Sequence, residues 1–203
     1  MSLRTDPVLR APPNADWEPL TSVLEQLTPA DAIRWSSFPT PFGEMYAAVT
    51  FRGLARLSWD LPSEDDFVAD LEARFAGWPV IQDRDGLADV ERELSEYFAG
   101  ARDRFDLPVD LTDLRPFQRG VLEAARSVPF GQVVPYAELA RRIRKPKASR
   151  AVGNALGGNP VAIIVPCHRI VRSDGALGGY TGGVQYKKRL LALEGREDLL
   201  RAG

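Results

Sequence analysis

The 203-residue sequence predicts an α+β protein built in two parts: a strand-bearing N-terminal domain with helices, followed by a mainly helical C-terminal domain. Three observations carry that expectation. Residues 33–59 fall into short β-rich segments broken by Pro39-Thr40-Pro41-Phe42-Gly43 and Arg52-Gly53, the pattern of antiparallel strands joined by turns. Later segments place apolar residues at helical spacing between Pro and Gly punctuation. Charge is divided as well: residues 1–115 carry 11 basic and 22 acidic side chains, whereas residues 116–203 carry 15 and 6. A basic C-terminal half points to a polyanionic partner there, although charge alone equally describes two solvated surfaces.

Composition sets the outer bounds. A hydrophobic content of 44% suffices for a packed core. The longest strongly apolar run, Val161 to Val165, is far too short to span a bilayer, and Met1-Ser2-Leu3-Arg4 lacks the apolar core of a signal peptide. A soluble, cytoplasmic chain is expected, with no membrane partner. One cysteine and one histidine exclude an internal disulfide and the usual ligand set of a structural zinc site, so neither metal nor cofactor is expected.

In chain order, residues 1–30 read as a loose arm, with Pro7, Pro12 and Pro13 early and a short helix over Glu18–Leu27. An N-terminal domain follows over 31–110. After its strands, Ser63 precedes an acidic first turn and Phe67, Leu71 and Phe75 at four-residue spacing, a capped amphipathic helix. A second helix runs from about Leu87 to Phe98 and stops at Gly100. The proline-bearing stretch Asp106–Pro116 connects to a C-terminal domain over 115–203. There Phe117, Val121, Leu122 and Ala125 form a helical stripe ended by Pro129-Phe130-Gly131. Tyr136–Ile143 and a helix from Pro146 to Gly157-Gly158, separated by a tight basic turn, suggest a helix-turn-helix.

The chemistry concentrates at the end of Val161–Val165, an apolar run expected to be a buried strand, which leads into Pro166-Cys167-His168-Arg169. A lone cysteine is more often a small buried hydrophobe than a nucleophile. Against that stands its position beside the only histidine and an arginine, where positive potential would favour the thiolate. Neighbours on a strand point in opposite directions, so a turn or a water relay would be needed to couple the two side chains.

The segment Pro166-Cys-His-Arg-Ile170, with Gly158-Asn-Pro160 before it and Gly178-Gly-Tyr-Thr-Gly-Gly183 and Leu190-Leu-Ala-Leu-Glu-Gly195 after it, resembles the O6-alkylguanine-DNA alkyltransferases. The likeness runs over about Phe117 to Gly195 and includes Phe130-Gly-Gln-Val-Val-Pro-Tyr136 and Arg150-Ala-Val-Gly153. It implies a small ribonuclease H-like sheet in the N-terminal domain and a winged helix-turn-helix that carries the active site. The implied activity is direct-reversal repair, in which an alkyl group passes once and irreversibly from O6 of a flipped guanine, or O4 of thymine, to the cysteine.

Carried over residue by residue, the resemblance makes Cys167 the acceptor, His168 its base through water, and Glu194 the carboxylate that orients the imidazole. Asn159 braces the active-site turn and Tyr136 protonates the leaving base. Tyr180 walls the base pocket, the Thr181 N–H donates to O6, and the Val165 carbonyl accepts from the exocyclic amine; Lys187 is counted with these substrate-binding residues. Arg150 is the finger that fills the gap in the stack. Ala148, Ser149, Ala151 and Gly153 let the helix backbone approach the minor groove, with Lys147, Arg141 and Arg142 on phosphates. The expected partner is double-stranded DNA bearing O6-alkylguanine, met by a monomer, with cooperative assembly left open. Gly157 stands where some relatives carry an arginine. Other readings of the same residues are a non-catalytic sensor of alkylated bases and a Cys-His hydrolase.

Overall fold

A computed structural model describes residues 32–201. The expected arm and the helix at Glu18–Leu27 lie outside the described residues.

Three strands open the chain: β1 (Ile33–Thr40), β2 (Gly43–Thr50) and β3 (Gly53–Ser58). They pair antiparallel, with Phe38 opposite Met45 and Tyr46 opposite Ser58, and β2–β3 shifts register at Ala48/Val49. A short strand absent from the sequence reading, β4 (Val80–Gln82), adds parallel to β1 and gives the order β3-β2-β1-β4. Alternation assigns the faces. Ile33, Trp35, Tyr46 and Ala48 point to one side, where Phe67 and Leu71 of α1 (Glu64–Arg74) cover them. The Ser63 hydroxyl caps α1 by accepting from the Asp66 N–H at 3.2 Å.

The opposite face carries Phe38, Met45, Ala47, Leu54 and Leu57, and it does not close on its own domain. It joins Leu94 and Tyr97 of α2 (Ala88–Phe98) and then Leu122, Val152, Val161 and Leu190 from the C-terminal half in one continuous core. Backbone bonds reinforce the union. The Leu57 N–H donates to Pro160 O (2.8 Å), and Leu54 exchanges bonds with the connecting segment at Pro108 and Asp110. The connection therefore lies along β3 as part of the sheet's edge.

The C-terminal half consists of α3 (Pro116–Arg126), β5 (Val134–Pro135), α4 (Tyr136–Arg142), α5 (Ser149–Gly157), β6 (Ile170–Val171) and α6 (Val184–Leu193). Its helix-turn-helix is α4–α5. The turn is a Schellman closure in which Arg144 N–H donates to Arg141 O and Lys145 N–H to Ala140 O, both at 2.8 Å, with Arg144 itself at φ 58°. This turn continues to Ala148, so α5 starts at Ser149 and not at Pro146. One apolar position differs from the reading: Phe117, expected on the buried stripe, is exposed. On α5, Ala155 faces the core with Val152 and Leu156.

The largest departure is Val161–Val165. It is buried as expected but is no strand: Val161 makes a single bridge to Leu57, Ile163 turns at φ 79°, and the Val165 N–H comes back to Val161 O at 3.0 Å. An apolar run without alternation specifies burial and leaves the backbone path to its surroundings.

Because one core spans both halves, heat or urea should unfold them together. Tryptophan fluorescence, which reports the N-terminal half, and far-UV circular dichroism should give superimposable transitions; two separated midpoints would contradict a shared core.

Candidate active site

The site is assembled where that buried turn meets the end of α6. After Pro166 the chain enters a single 3-10 turn, Cys167–Arg169, in which all three side chains are buried. A turn does not send successive side chains to opposite faces as a strand would, so the strand-based objection to an adjacent cysteine and histidine does not apply here.

Asn159 holds the cysteine in place. Its Oδ1 accepts from the Val161 N–H (3.1 Å), and its Nδ2 donates to Val165 O (2.8 Å) and approaches Cys167 Sγ at 3.3 Å. One side chain thus ties both ends of the 159–167 turn and touches the sulfur. Val165 O also accepts from the Cys167 N–H at 2.8 Å. Both its lone pairs are spent inside the turn, so the carbonyl expected to meet a substrate amine is not available for it.

Glu194 anchors the other side. It is the C-cap of α6, and Gly195, at φ 74°, completes a Schellman closure through Gly195 N–H to Ala192 O and Arg196 N–H to Leu191 O. A carboxylate at a helix C-terminus opposes the helix dipole, so it needs other partners. Four groups supply them. His168 Nε2 lies 2.8 Å from Oε1, Arg169 donates from Nε and Nη2 at 2.9 Å each, the Tyr97 hydroxyl donates at 2.7 Å, and the Gly131 N–H donates at 3.2 Å. Burial pushes the Glu194 pKa up, but the bonds and charges of His168 and Arg169 outweigh it and bring the carboxyl down to about 2.

With Glu194 ionised, His168 must donate from Nε2, which leaves Nδ1 as the basic nitrogen. Nδ1 is buried and has no hydrogen-bond partner among the described residues. Burial lowers the His168 pKa, Glu194 only partly offsetting it, so the ring is neutral near pH 7. Burial raises the Cys167 pKa, against opposing effects of Asn159, the Lys187 cation and Tyr180. The expected thiolate is therefore not what the site favours. Arg169 cannot supply the potential, because its guanidinium is consumed by Glu194 and by Val128 O at 2.6 Å. The resting pair is a thiol and a neutral imidazole.

Above the sulfur opens a cleft of about 340 Å³ lined by Tyr136, Gly153, Leu156, Gly157, Cys167, Gly179, Tyr180 and Thr181. It is of ligand-binding size. Tyr136 begins α4, and Gly178, at φ 70°, lets the opposite loop come so close that an added Cβ would sit 3.1 Å from the Tyr136 hydroxyl. Thr181 hydroxyl bonds to Gly157 O (2.6 Å), joining that loop to the end of α5. Lys187 does not line the cleft. It is fully buried, with Nζ on Ile170 O (2.6 Å) and Leu177 O, and burial lowers its pKa to about 8.

At the start of α5 and just before it, Lys147, Arg150 and Ala151 are exposed and Ala148 and Ser149 half-buried, while Gly153, also half-buried, lines the cleft. Arg141 and Arg142 both pair with Glu138 on their own helix, the latter at 3.6 Å. Sequence reasoning missed Tyr97, Gly131 and the role of Arg169. Tyr97 sits in a helical apolar stripe that reads as core, and nothing in its neighbourhood points 97 positions ahead to Glu194.

Fold and site together define a helix-turn-helix protein with a buried cysteine at the floor of a cleft bounded by its second helix. Comparison with known proteins specifies the group. Residues 33–111 match the family model described as 6-O-methylguanine DNA methyltransferase, ribonuclease-like domain, and residues 116–196 match the DNA binding domain of the same enzyme. The chain is 37% identical over 162 residues to the inducible methylated-DNA–protein-cysteine methyltransferase of Bacillus subtilis, covering 80% of this chain and 90% of that protein. It is 40% identical over 161 residues to the Shigella flexneri methylated-DNA–protein-cysteine methyltransferase, covering 77% and 92%. Among solved structures, Mycobacterium tuberculosis OGT in complex with DNA superposes with a TM-score of 0.68 at 34% identity, covering 81% of this chain and 93% of that one. The chain belongs to the O6-methylguanine DNA methyltransferase family.

The depressed Glu194 pKa has a measurable sign. A carboxyl at 4.5 when unfolded and about 2 when folded adds stability that is fully present above about pH 4.5 and is lost as pH falls through about 2. Glu194→Gln should remove this acid-sensitive segment from a plot of unfolding free energy against pH. By leaving Arg169 buried without its counter-ion, it should also cost on the order of 3–5 kcal/mol at neutral pH. An unchanged acid limb in the variant would show that the carboxylate is not the titrating group.

Proposed function

We propose that this protein repairs DNA by direct reversal, moving an alkyl group from O6 of guanine to Cys167, once per molecule. The observation that carries the reading is a buried sulfur at the floor of a cleft, touched by Asn159 and adjacent to an imidazole whose far nitrogen is fixed by Glu194.

The step is an in-line displacement at the alkyl carbon. A C–S bond forms as the C–O6 bond breaks, and the electron pair of that bond stays on the base. The thiol proton passes to His168 Nδ1 through a bridging water, and the imidazolium so formed is stabilised by Glu194. Tyr136, whose pKa is raised by burial and by Cys167, remains a phenol and donates toward a ring nitrogen of the departing guanine. The thiol's proton is finally returned to the guanine, and the thioether is stable, so no turnover follows. Thr181 supplies its main-chain N–H toward O6 and Tyr180 a wall for the ring. Lys187 contributes positive charge from behind the cleft.

A buried sulfur cannot reach a stacked base, so the nucleotide is rotated out of the duplex. The exposed face of α5 would lie in the minor groove, where sequence is read poorly and damage of any context is met. Arg150 at its first turn would fill the vacated stack, and Lys147, Arg141 and Arg142 would meet phosphates, the last two after leaving Glu138. One chain per lesion, acting as a monomer in the cytoplasm, is sufficient for this chemistry.

Mass spectrometry after incubation with a duplex containing O6-methylguanine should find one methyl on the peptide carrying Cys167, and none in Cys167→Ala. Tight binding with unchanged mass would leave a sensor of alkylated bases, and repeated turnover on esters would leave a hydrolase. The transfer rate should be nearly flat between pH 7 and 8, because the raised thiol and the lowered imidazole act as a pair. A cysteine reacting through its free thiolate would gain roughly tenfold per pH unit over that interval. Arg150→Ala should slow transfer from duplex DNA more than from free O6-benzylguanine; equal losses on both would remove Arg150 from the extrusion step.

A further inference from the structure

We propose that Trp59, a residue of the N-terminal half, is a positioning residue that fixes Tyr180 and thereby sets the width of the alkyl-accepting cleft. The inference rests on reading that cleft as the base pocket and concerns which alkyl groups it admits.

Trp59 directly follows β3. The chain there is held on one side by the Tyr46–Ser58 pairing and on the other by the Ser58 hydroxyl donating to Asp60 at 2.7 Å. From this fixed point the indole stacks on Tyr180, with ring centroids 6.4 Å apart and planes 22° from parallel. Its other contacts are the edge of Tyr186 at 5.9 Å and Phe42 at 6.1 Å. Phe42 is braced in turn by Phe98 at 5.1 Å, Tyr186 at 5.2 Å and the Arg189 guanidinium at 4.4 Å. An unbroken aromatic row thus runs from the β1–β2 turn and α2 to the side of the cleft opposite α5.

Two further observations mark this contact as more than filling. Gly182, at φ 82°, brings the Tyr180 loop so near that an added Cβ would lie 3.3 Å from Trp59 Nε1. The indole N–H is buried without a hydrogen-bond partner among the described residues. Folded proteins rarely keep such groups unless the position serves something else. A leucine would fill a core without an orphaned donor. What a flat aromatic side chain adds is a rigid plane stacked on the ring that bounds the cleft. Tyr180 cannot retreat while that plane is there, so a small alkyl group is held in line with the sulfur and a bulky one is crowded.

The test compares transfer rates from duplexes containing O6-methylguanine or O6-benzylguanine, read by mass at Cys167 for the wild type and for Trp59→Leu, Trp59→Ala and Trp59→Phe. Wild-type methyl transfer is established first, and its absence would refute the repair reading itself. In Trp59→Leu and Trp59→Ala the benzyl-to-methyl ratio should rise on the order of tenfold, chiefly through slower methyl transfer, since a small misplacement of a reacting group costs that much or more. Trp59→Phe keeps a flat ring and should stay near the wild-type ratio. Circular dichroism confirms folding, and Trp59→Leu serves where the alanine variant does not fold. A folded leucine or alanine variant with an unchanged ratio, whether both rates persist or both fall equally, would overturn the proposal.

Discussion

The carboxylate of Glu194 is the interaction on which the rest of the molecule depends. It gathers Tyr97 from the N-terminal half, His168 and Arg169 from the cysteine turn, and Gly131 from the loop after α3. A buried charge is costly unless its acceptors are all engaged, and here the donors converge from three separate stretches of chain. The same contacts that make the charge tolerable also select the imidazole tautomer. Stability and chemistry are not separable at this carboxylate, because it receives the Tyr97 hydroxyl from the other half and also fixes which nitrogen of His168 can take a proton.

That coupling explains what was and was not legible in the sequence. Cys167, His168, Asn159 and Glu194 lie in short spaced motifs that carry their identity with them, and all four converge in the structure. The strands over 33–59 and the Ser63 cap were equally readable, since alternation and capping are local. Tyr97 was not, because its hydroxyl finds its partner only through the tertiary fold. Val161–Val165 misled for a related reason: uniform hydrophobicity specifies an interior and is silent on whether the backbone continues or, as at Ile163, reverses. Val165 and Lys187 were misplaced for want of one fact, namely which polar groups their neighbours had already claimed.

The charge asymmetry gains a more local meaning. The basic side chains of the C-terminal half are not an even coat. Lys147 and Arg150 are exposed near the start of α5 and form no ion pair among the described residues, whereas Arg169 and Lys187 are interior. Arg141 and Arg142 are held in reserve by Glu138. A polyanion arriving at α5 competes for those two arginines, so its gain is reduced by the helix pairs it breaks, which are worth only a few tenths of a kcal/mol each. The exposed face is thus inexpensive to convert from self-paired to phosphate-paired.

A protein that uses its sulfur once must not lose it to side reactions. Thiolates are the form attacked by oxidants and stray electrophiles, and exposure sets how often they are met. Here burial raises the Cys167 pKa and the cleft admits only what fits between Tyr136 and Tyr180. The thiol is therefore dull in isolation. In the proposed mechanism reactivity is supplied when an alkyl carbon is placed in line with Sγ, by an imidazole that is already neutral and already oriented through Glu194. Positioning can supply many orders of magnitude in rate, far more than a lowered thiol pKa would add at neutral pH. A high thiol pKa with an organised base is thus the arrangement that keeps a consumable nucleophile intact until its substrate is delivered.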